Sequence, residues 1–161
     1  MSEAAEFVDY TLQRESSWEK AEEARWRLGE SFKVYGASIG AVRGTVRDGL
    51  NKFKNLSHDD ITALSSELWD EPVFERRLAA VVLLQTKVGI LVNTDLTRIE
   101  GFIRQSGTEE LADPLAADVV KPLLARLDGQ AKERAVRVLE RWSRDADPWL
   151  RRAAQLAAQT P

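Results

Sequence analysis

Residues 69–85, "WDEPVFERRLAAVVLLQ", recur in outline at residues 147–159, "DPWLRRAAQLAAQ". The two stretches align on the arginine pairs Arg76–Arg77 and Arg151–Arg152, which lie 75 residues apart and are followed by similar apolar residues. This offset is close to twice the period of roughly 40 residues that HEAT-type helical hairpins show. The repeat therefore predicts an all-α fold, a HEAT-like or ARM-type α-solenoid of stacked antiparallel helical hairpins. An irregular helical bundle is the alternative.

Helix-forming residues dominate the rest of the chain, and no segment alternates apolar and polar residues as a strand does. Start signals divide it: Ser16 with Glu19 and Ser57 with Asp60 match capping boxes, and Pro114 suits a first helical turn. These signals predict about nine helices with short connections, near residues 3–14, 17–32, 38–54, 58–69, 72–87, 95–105, 109–127, 130–144 and 148–159.

The composition excludes several kinds of site. The chain has 161 residues, no cysteine and one histidine, so disulfides, thiolate metal sites and histidine metal clusters are not expected. No apolar run approaches the roughly 18 residues that a membrane-spanning helix needs, and the acidic N-terminus lacks a signal sequence. We therefore expect one domain over residues 1–161, in the cytoplasm, without a metal site.

Charge is segregated along the chain although the net charge is only −3. Residues 25–54 hold seven bases and two acids, and residues 121–152 hold nine bases and five acids. Between these blocks, residues 55–120 hold twelve acids and five bases. A phosphate-binding surface depends on the local field, so the two basic blocks are compatible with nucleic-acid binding. Solvated helix faces are the alternative.

Three fragments together resemble a known family. They are "ARWRLGESFKVYGASIGAVR" (24–43), "LWDEPVFERRLAAVVLLQ" (68–85) and "ADPWLRRAA" (146–154). In this order and spacing they resemble elements of the DNA alkylation repair family, the AlkD-like HEAT-repeat DNA glycosylases.

The resemblance implies a curved helical stack that holds duplex DNA in a basic groove and excises cationic alkylated purines, such as 3-methyladenine and 7-methylguanine. It implies neither a metal nor an organic cofactor, because a cationic base is already a good leaving group. Catalysis then requires positioning, water and negative charge beside a sugar that develops oxocarbenium character.

The family's functional positions transfer to this sequence one by one. The groove carboxylate corresponds to Asp113, the phosphate-gripping arginine to Arg152, and an early groove aromatic to Trp26. The family's tryptophan four residues before the carboxylate is replaced by Glu109. Each residue has a structural alternative: a helix cap before Pro114 for Asp113, a solvated acidic helix start for Glu109, and a core position for Trp26.

Further cations are candidates for contact with DNA. Arg43 and Arg47 lie four residues apart on one predicted helix, and Arg151 precedes Arg152. Arg76 and Arg77, in the repeated stretch, are the next candidates, and an exposed arginine without a role is the alternative for each. Three other tryptophans, at helix ends and starts, are predicted to be packing anchors: Trp69, Trp142 and Trp149.

Three functions remain open at this point: a glycosylase for cationic N-alkylpurines, a non-catalytic DNA binder, and a helical scaffold that binds protein. The family has a further tryptophan beyond residue 161, so residues 148–159 resemble an interior helix. The chain is accordingly expected to be trimmed or naturally short, to act as a monomer, and to associate with the nucleoid if the source is bacterial.

Overall fold

The computed structural model describes residues 1–158, and helices make up most of this part of the chain. Two compact units are present, Met1–Leu84 and Gln85–Pro161, so the division falls inside one helix. Within residues 1–158 there is no β-strand, only an isolated bridge between Lys33 and Val73. The predicted all-α class is confirmed, and the architecture agrees with an α-solenoid. The HEAT assignment and the single domain over residues 1–161 stay predictions.

The first unit begins with four complete helices and most of a fifth. These are α1 (Glu3–Arg14), α2 (Trp18–Leu28), α3 (Ile39–Lys52), α4 (His58–Asp70) and α5 (Phe74–Thr86). Helix α1 packs against α3 and α4, and the core between them includes Leu12, Val46, Ile61 and Leu68.

The second unit contains two 3₁₀ turns, Val88–Ile90 and Asn93–Asp95, and four helices. The helices are α6 (Leu96–Gln105), α7 (residues 109–126), α8 (Gly129–Ser143) and α9 (Pro148–Ala158). Helix α9 packs against α6, α7 and α8, with Leu150 and Ala153 buried. With α7 counted as one continuous helix, residues 1–158 contain nine α-helices, as the sequence predicts.

Helix starts follow local capping chemistry. The Ser57 hydroxyl accepts from the Asp60 N–H and the Asp60 carboxylate from the Ser57 N–H, which confirms the predicted capping box. The prediction for Ser16 is wrong by one residue: Ser17 caps α2, and the Ser16 hydroxyl donates to the Leu12 carbonyl. Helix α2 also ends at Leu28, earlier than predicted, because Gly29 adopts a φ of 95°.

A buried polar cluster joins α1 and α5 to the loop between α2 and α3. The Glu75 carboxylate, 1% exposed, accepts from the backbone N–H groups of Tyr35 and Gly36 at 2.8 and 3.0 Å. Asp9 accepts from the Tyr35 hydroxyl at 2.6 Å and pairs with the buried Arg76 guanidinium at 2.9 Å. Gly36 permits this loop to approach α2, since a Cβ there would lie 2.5 Å from the Ser17 carbonyl oxygen.

Because of this cluster, we expect the free energy of unfolding to fall at alkaline pH. Burial and the Asp9 carboxylate together raise the pKa of Tyr35 to about 12, whereas an unfolded phenol titrates near a pKa of about 10. The stabilisation is therefore complete below pH 10 and is lost as pH rises through about 12. Between pH 8 and pH 11 the free energy of unfolding of the wild type should fall by about 1 kcal/mol more than that of Tyr35→Phe, which lacks the titrating hydroxyl. Urea unfolding at the two pH values measures this difference.

Tyr10→Phe is the matched control, because the Tyr10 side chain is 65% exposed. This variant should keep the wild-type pH dependence. Equal pH dependence in wild type and Tyr35→Phe would contradict the role given to the Tyr35–Asp9 hydrogen bond.

Candidate functional site

Helix α7 begins with two carboxylates on one face. Glu109 is its first residue and Asp113 lies four residues later, a spacing that places both side chains on the same side of a helix. The N-cap is Thr108, whose hydroxyl accepts from the Glu110 N–H at 3.3 Å. Asp113 therefore lies inside the helix, and its interpretation as a cap is wrong.

Pro114 also lies inside α7, where the sequence predicted a first-turn position. The helix is α-helical over Glu109–Pro114, π-helical over Leu115–Val120 and α-helical again over Lys121–Arg126. Proline cannot donate the hydrogen bond that an α-helix would send to the Glu110 carbonyl, and the wider π turns follow directly after it. Leu115 and Val119 in the π segment are fully buried, which anchors the helix beneath its carboxylates.

Arg152, on α9, forms a two-pronged ion pair with Asp113. Its Nε donates to Oδ1 at 2.8 Å and its Nη2 donates to Oδ2 at 2.9 Å. Glu109 Oε2 lies 3.5 Å from the same Nη2. The side chains of Asp113, Arg152 and Glu109 are 30%, 47% and 68% exposed, so the cluster is open to solvent.

The paired carboxylates favour the charged form of the arginine. The hydrogen bonds to Asp113, with the added charge of Glu109, hold the pKa of Arg152 above its usual range. Its Nη1 makes no hydrogen bond to any residue within 1–158. One edge of the guanidinium is therefore bound to Asp113, while the remaining N–H groups are available to an anion.

An aromatic side chain stands beside this cluster. Glu109, Pro148, Trp149 and Arg152 line one open recess. Trp149 is half-buried, and Asp147 fixes its backbone by accepting from the Trp149 N–H at 2.8 Å. Trp149, predicted as a packing anchor, thus also has a surface in the recess, whereas Trp69 and Trp142 are buried as predicted.

The loop before α9 is held by paired charges. Arg104 Nη2 lies 2.8 Å from Asp145 Oδ2, and Glu100 accepts from Trp142 Nε1 at 2.6 Å and Arg141 Nη2 at 2.7 Å. Burial raises the pKa of Glu100, but these donors outweigh it and leave the pKa below its usual value. The carboxylate therefore stays charged, and it holds the end of α8 through Arg141 and Trp142.

Arg151 is exposed, but its guanidinium is engaged in the same loop. Its Nη1 donates to the carbonyl oxygens of Asp145 and Ala146, both at 2.8 Å. The structure thus gives Arg151 a loop-holding role beside Arg152. Its contact with DNA stays a prediction.

The candidates of the first unit are exposed. The Trp26 side chain, on α2, is 91% exposed, so its interpretation as a core residue is wrong. Arg43 and Arg47 are exposed on α3, and Arg47 lies 3.5 Å from the Asp48 carboxylate. DNA contact by these three residues stays a prediction.

The other arginine pair is not a phosphate-binding candidate. Arg76 is 2% exposed and donates to the Glu67 carbonyl oxygen at 2.8 Å. Arg77 donates to the Trp69 carbonyl oxygen and lies 4.8 Å from the centre of the Trp69 ring. The sequence prediction for this pair is wrong because the surrounding helices bury or occupy both guanidinium groups.

Sequence reasoning missed the recess position of Trp149 and the direct pairing of Asp113 with Arg152. Asp113 and Arg152 are 39 residues apart in the sequence, and local sequence patterns do not indicate contacts over such a separation. The same applies to Trp149 and Glu109. Within residues 1–158 there is no cluster of three or more potential metal ligands, and none of the described helices is long and apolar enough to cross a membrane.

Comparison with known proteins gives one family. The model of a family described as "DNA alkylation repair enzyme" matches residues 8–160. No curated protein matches the chain significantly.

The ion pair itself can be tested in solution. Asp113→Asn removes the charge that holds Arg152, so hydrogen exchange at Arg152 Nε–H should become several-fold faster, as measured by NMR on protein with labelled arginine. Glu109→Gln should change this rate little, because Glu109 lies 3.5 Å from Nη2 and makes no contact with Nε. An unchanged rate in Asp113→Asn would show that the pair does not form in solution.

Proposed function

The chain belongs to the DNA alkylation repair enzyme family, and we propose that it excises cationic alkylated purines, such as 3-methyladenine and 7-methylguanine, from duplex DNA. The supporting observation is the Asp113–Arg152 pair, in which a solvent-accessible carboxylate is bound to an arginine that also lines the recess beside Trp149. The family resemblance assigns the groove carboxylate to Asp113 and the phosphate-gripping arginine to Arg152.

The proposed reaction is a hydrolysis. A water oxygen bonds to C1′ of the damaged deoxyribose while the bond from C1′ to the base nitrogen breaks. The bonding electrons pass to the cationic base, which leaves as a neutral molecule, and the water loses a proton to solvent. The products are a free alkylated base and an abasic sugar.

Asp113 contributes negative charge beside the sugar, where positive charge develops as the bond breaks. Arg152 orients this carboxylate through two hydrogen bonds. The free Nη1 of Arg152 binds a backbone phosphate near the lesion, so one side chain both orients the carboxylate and positions the DNA. A cationic base is already activated to leave, so this chemistry asks for no metal or cofactor.

Glu109 and Trp149 form the remaining walls of the recess. The indole face of Trp149 attracts a cation, and so does the Glu109 carboxylate. Trp149 can thus provide the aromatic surface that the replacement of tryptophan by Glu109 removes. The cytoplasmic location and monomeric state stay predictions.

Non-catalytic DNA binding is the second candidate function, and Glu109 is the observation that favours it. Its carboxylate lies 3.5 Å from Arg152 and adds a second negative charge where a phosphate would bind. A binder would retain duplex affinity and release no base. A protein-binding scaffold would neither bind duplex DNA nor release a base.

Base release tests the role of Asp113. On duplex DNA that carries 7-methylguanine, Asp113→Asn should reduce the single-turnover release of free base by about 100-fold or more, because a neutral amide cannot balance the developing charge. Asp118→Asn is the matched control, since Asp118 lies on the same helix and, within residues 1–158, its carboxylate accepts only from Gln85 at 3.3 Å. If the wild type releases base and Asp113→Asn releases it at the same rate, Asp113 is not the catalytic carboxylate.

Salt dependence tests the role of Arg152. Arg152→Gln should weaken duplex binding and lower the slope of log affinity against log salt by about 1, the value for one phosphate contact. Glu109→Gln should have the opposite effect and strengthen binding a few-fold, because it removes a charge that competes with phosphate. Fluorescence anisotropy with undamaged and methylated duplexes measures both, and an unchanged slope in Arg152→Gln would exclude the phosphate contact.

A further inference from the structure

Three arginines on α8 and a fourth directly after its end form a stripe. Arg134, Arg137, Arg141 and Arg144 follow one another at intervals of three, four and three residues, and all four are exposed. The spacing places the first three on one face of the helix, and Arg144 is the residue that follows Ser143 at the helix end. At 1.5 Å per residue the stripe is about 15 Å long. We call these four residues the arginine stripe.

Most of the arginine stripe has no internal partner. The side chains of Arg134, Arg137 and Arg144 make no hydrogen bond or ion pair within residues 1–158. Arg141 is held by Glu100 at 2.7 Å. Arg137, Arg141 and Arg144 line one shallow recess together with Glu140 and Asp145, so three guanidinium groups surround a shared space.

The arginine stripe lies on a different side of α8 from the cavity next to Arg152. Val136, Leu139 and Ser143 line this cavity of about 830 Å³ together with Arg151 and Arg152. Glu140 marks the border, since it lines both the cavity and the recess of the stripe. At 100° per residue, Val136, Leu139 and Ser143 lie on average about 150° around the helix from the arginines. A ligand on the stripe would therefore approach α8 from a different direction than one in that cavity.

We propose that the arginine stripe binds backbone phosphates of duplex DNA outside the segment held at Arg152. One DNA strand carries a phosphate about every 3.4 Å along the axis, so 15 Å of helix corresponds to about four phosphates. Arginine binds phosphate with two parallel hydrogen bonds, and unpaired arginines bring no competing internal contact. This inference rests on the proposed function only in taking DNA as the ligand.

The contact is independent of sequence and damage. It would hold the protein on undamaged duplex and orient α8 along the backbone while the Asp113–Arg152 recess meets the base. Phosphate contacts fix register in this way without identifying bases. The stripe thus contributes to affinity and leaves the chemical step unchanged.

The test is the triple variant Arg134→Gln, Arg137→Gln, Arg144→Gln, which keeps Arg141 and its bond to Glu100. Three lost phosphate contacts lower the salt slope by about 2.7, so between 50 and 200 mM salt the wild type should lose about 40-fold more affinity than the variant. The rate of 7-methylguanine release at saturating protein should be unchanged. The triple Arg→Lys variant retains the charges and should retain the slope.

Glu133→Gln is the matched control of opposite sign on the same helix, and Glu133 lines neither the recess of the stripe nor the cavity next to Arg152. It should raise duplex affinity at low salt and leave the release rate unchanged, and it does not depend on the folding of the glutamine triple variant. If the wild type binds DNA and releases base but the affinity and the salt slope are unchanged in these variants, the inference is wrong and the proposed function is retained. A wild type that binds no duplex would overturn the proposed function and this inference together.

Discussion

Arginine side chains that donate to backbone carbonyls fix the turn before each of two helices, α5 and α9, and the second of these helices carries the candidate site residue Arg152. The last carbonyl groups of a helix have no partner within it. Arg76 and Arg77 donate to the carbonyl oxygens of Glu67 and Trp69 at the end of α4. Arg151 does the same for two carbonyls of the loop before α9. The repeated sequence pattern therefore has a common structural role, although it first suggested DNA binding.

The two arginine pairs differ in how far the ion pair that one of their arginines forms is buried. In the first unit Arg76 is buried and its charge is balanced by Asp9, so removal of either partner would leave a buried charge uncompensated. In the second unit Arg152 is half-exposed and its partner Asp113 is also reached by solvent. Exposed ion pairs contribute little to stability. The Asp113–Arg152 pair is two-pronged but open to water, so removal of either partner would leave a charge that solvent can reach.

Local patterns predicted the helices well, because caps and apolar periodicity act within a few residues. The errors arose where distant parts of the chain decide the outcome. Pro114 continues a helix since Leu115 and Val119 are buried beneath it, and Trp26 is exposed although most tryptophans are buried. The family resemblance gave Asp113 and Arg152 separate roles. Only the fold shows that they bind each other.

Glu109 changes the physical basis on which a cationic base would be recognised. A tryptophan face attracts a cation over a short range and requires the ring to be stacked, whereas a carboxylate acts through its charge and is screened by salt. Because the Glu109 side chain is 68% exposed, its attraction to a base in the recess is weakened by water. The half-buried Trp149 is less affected by solvent. In the proposed reaction, selectivity for a cationic base would then depend on Trp149 for contact and on the nearby Asp113 for charge, with Glu109 adjusting how tightly Arg152 holds phosphate.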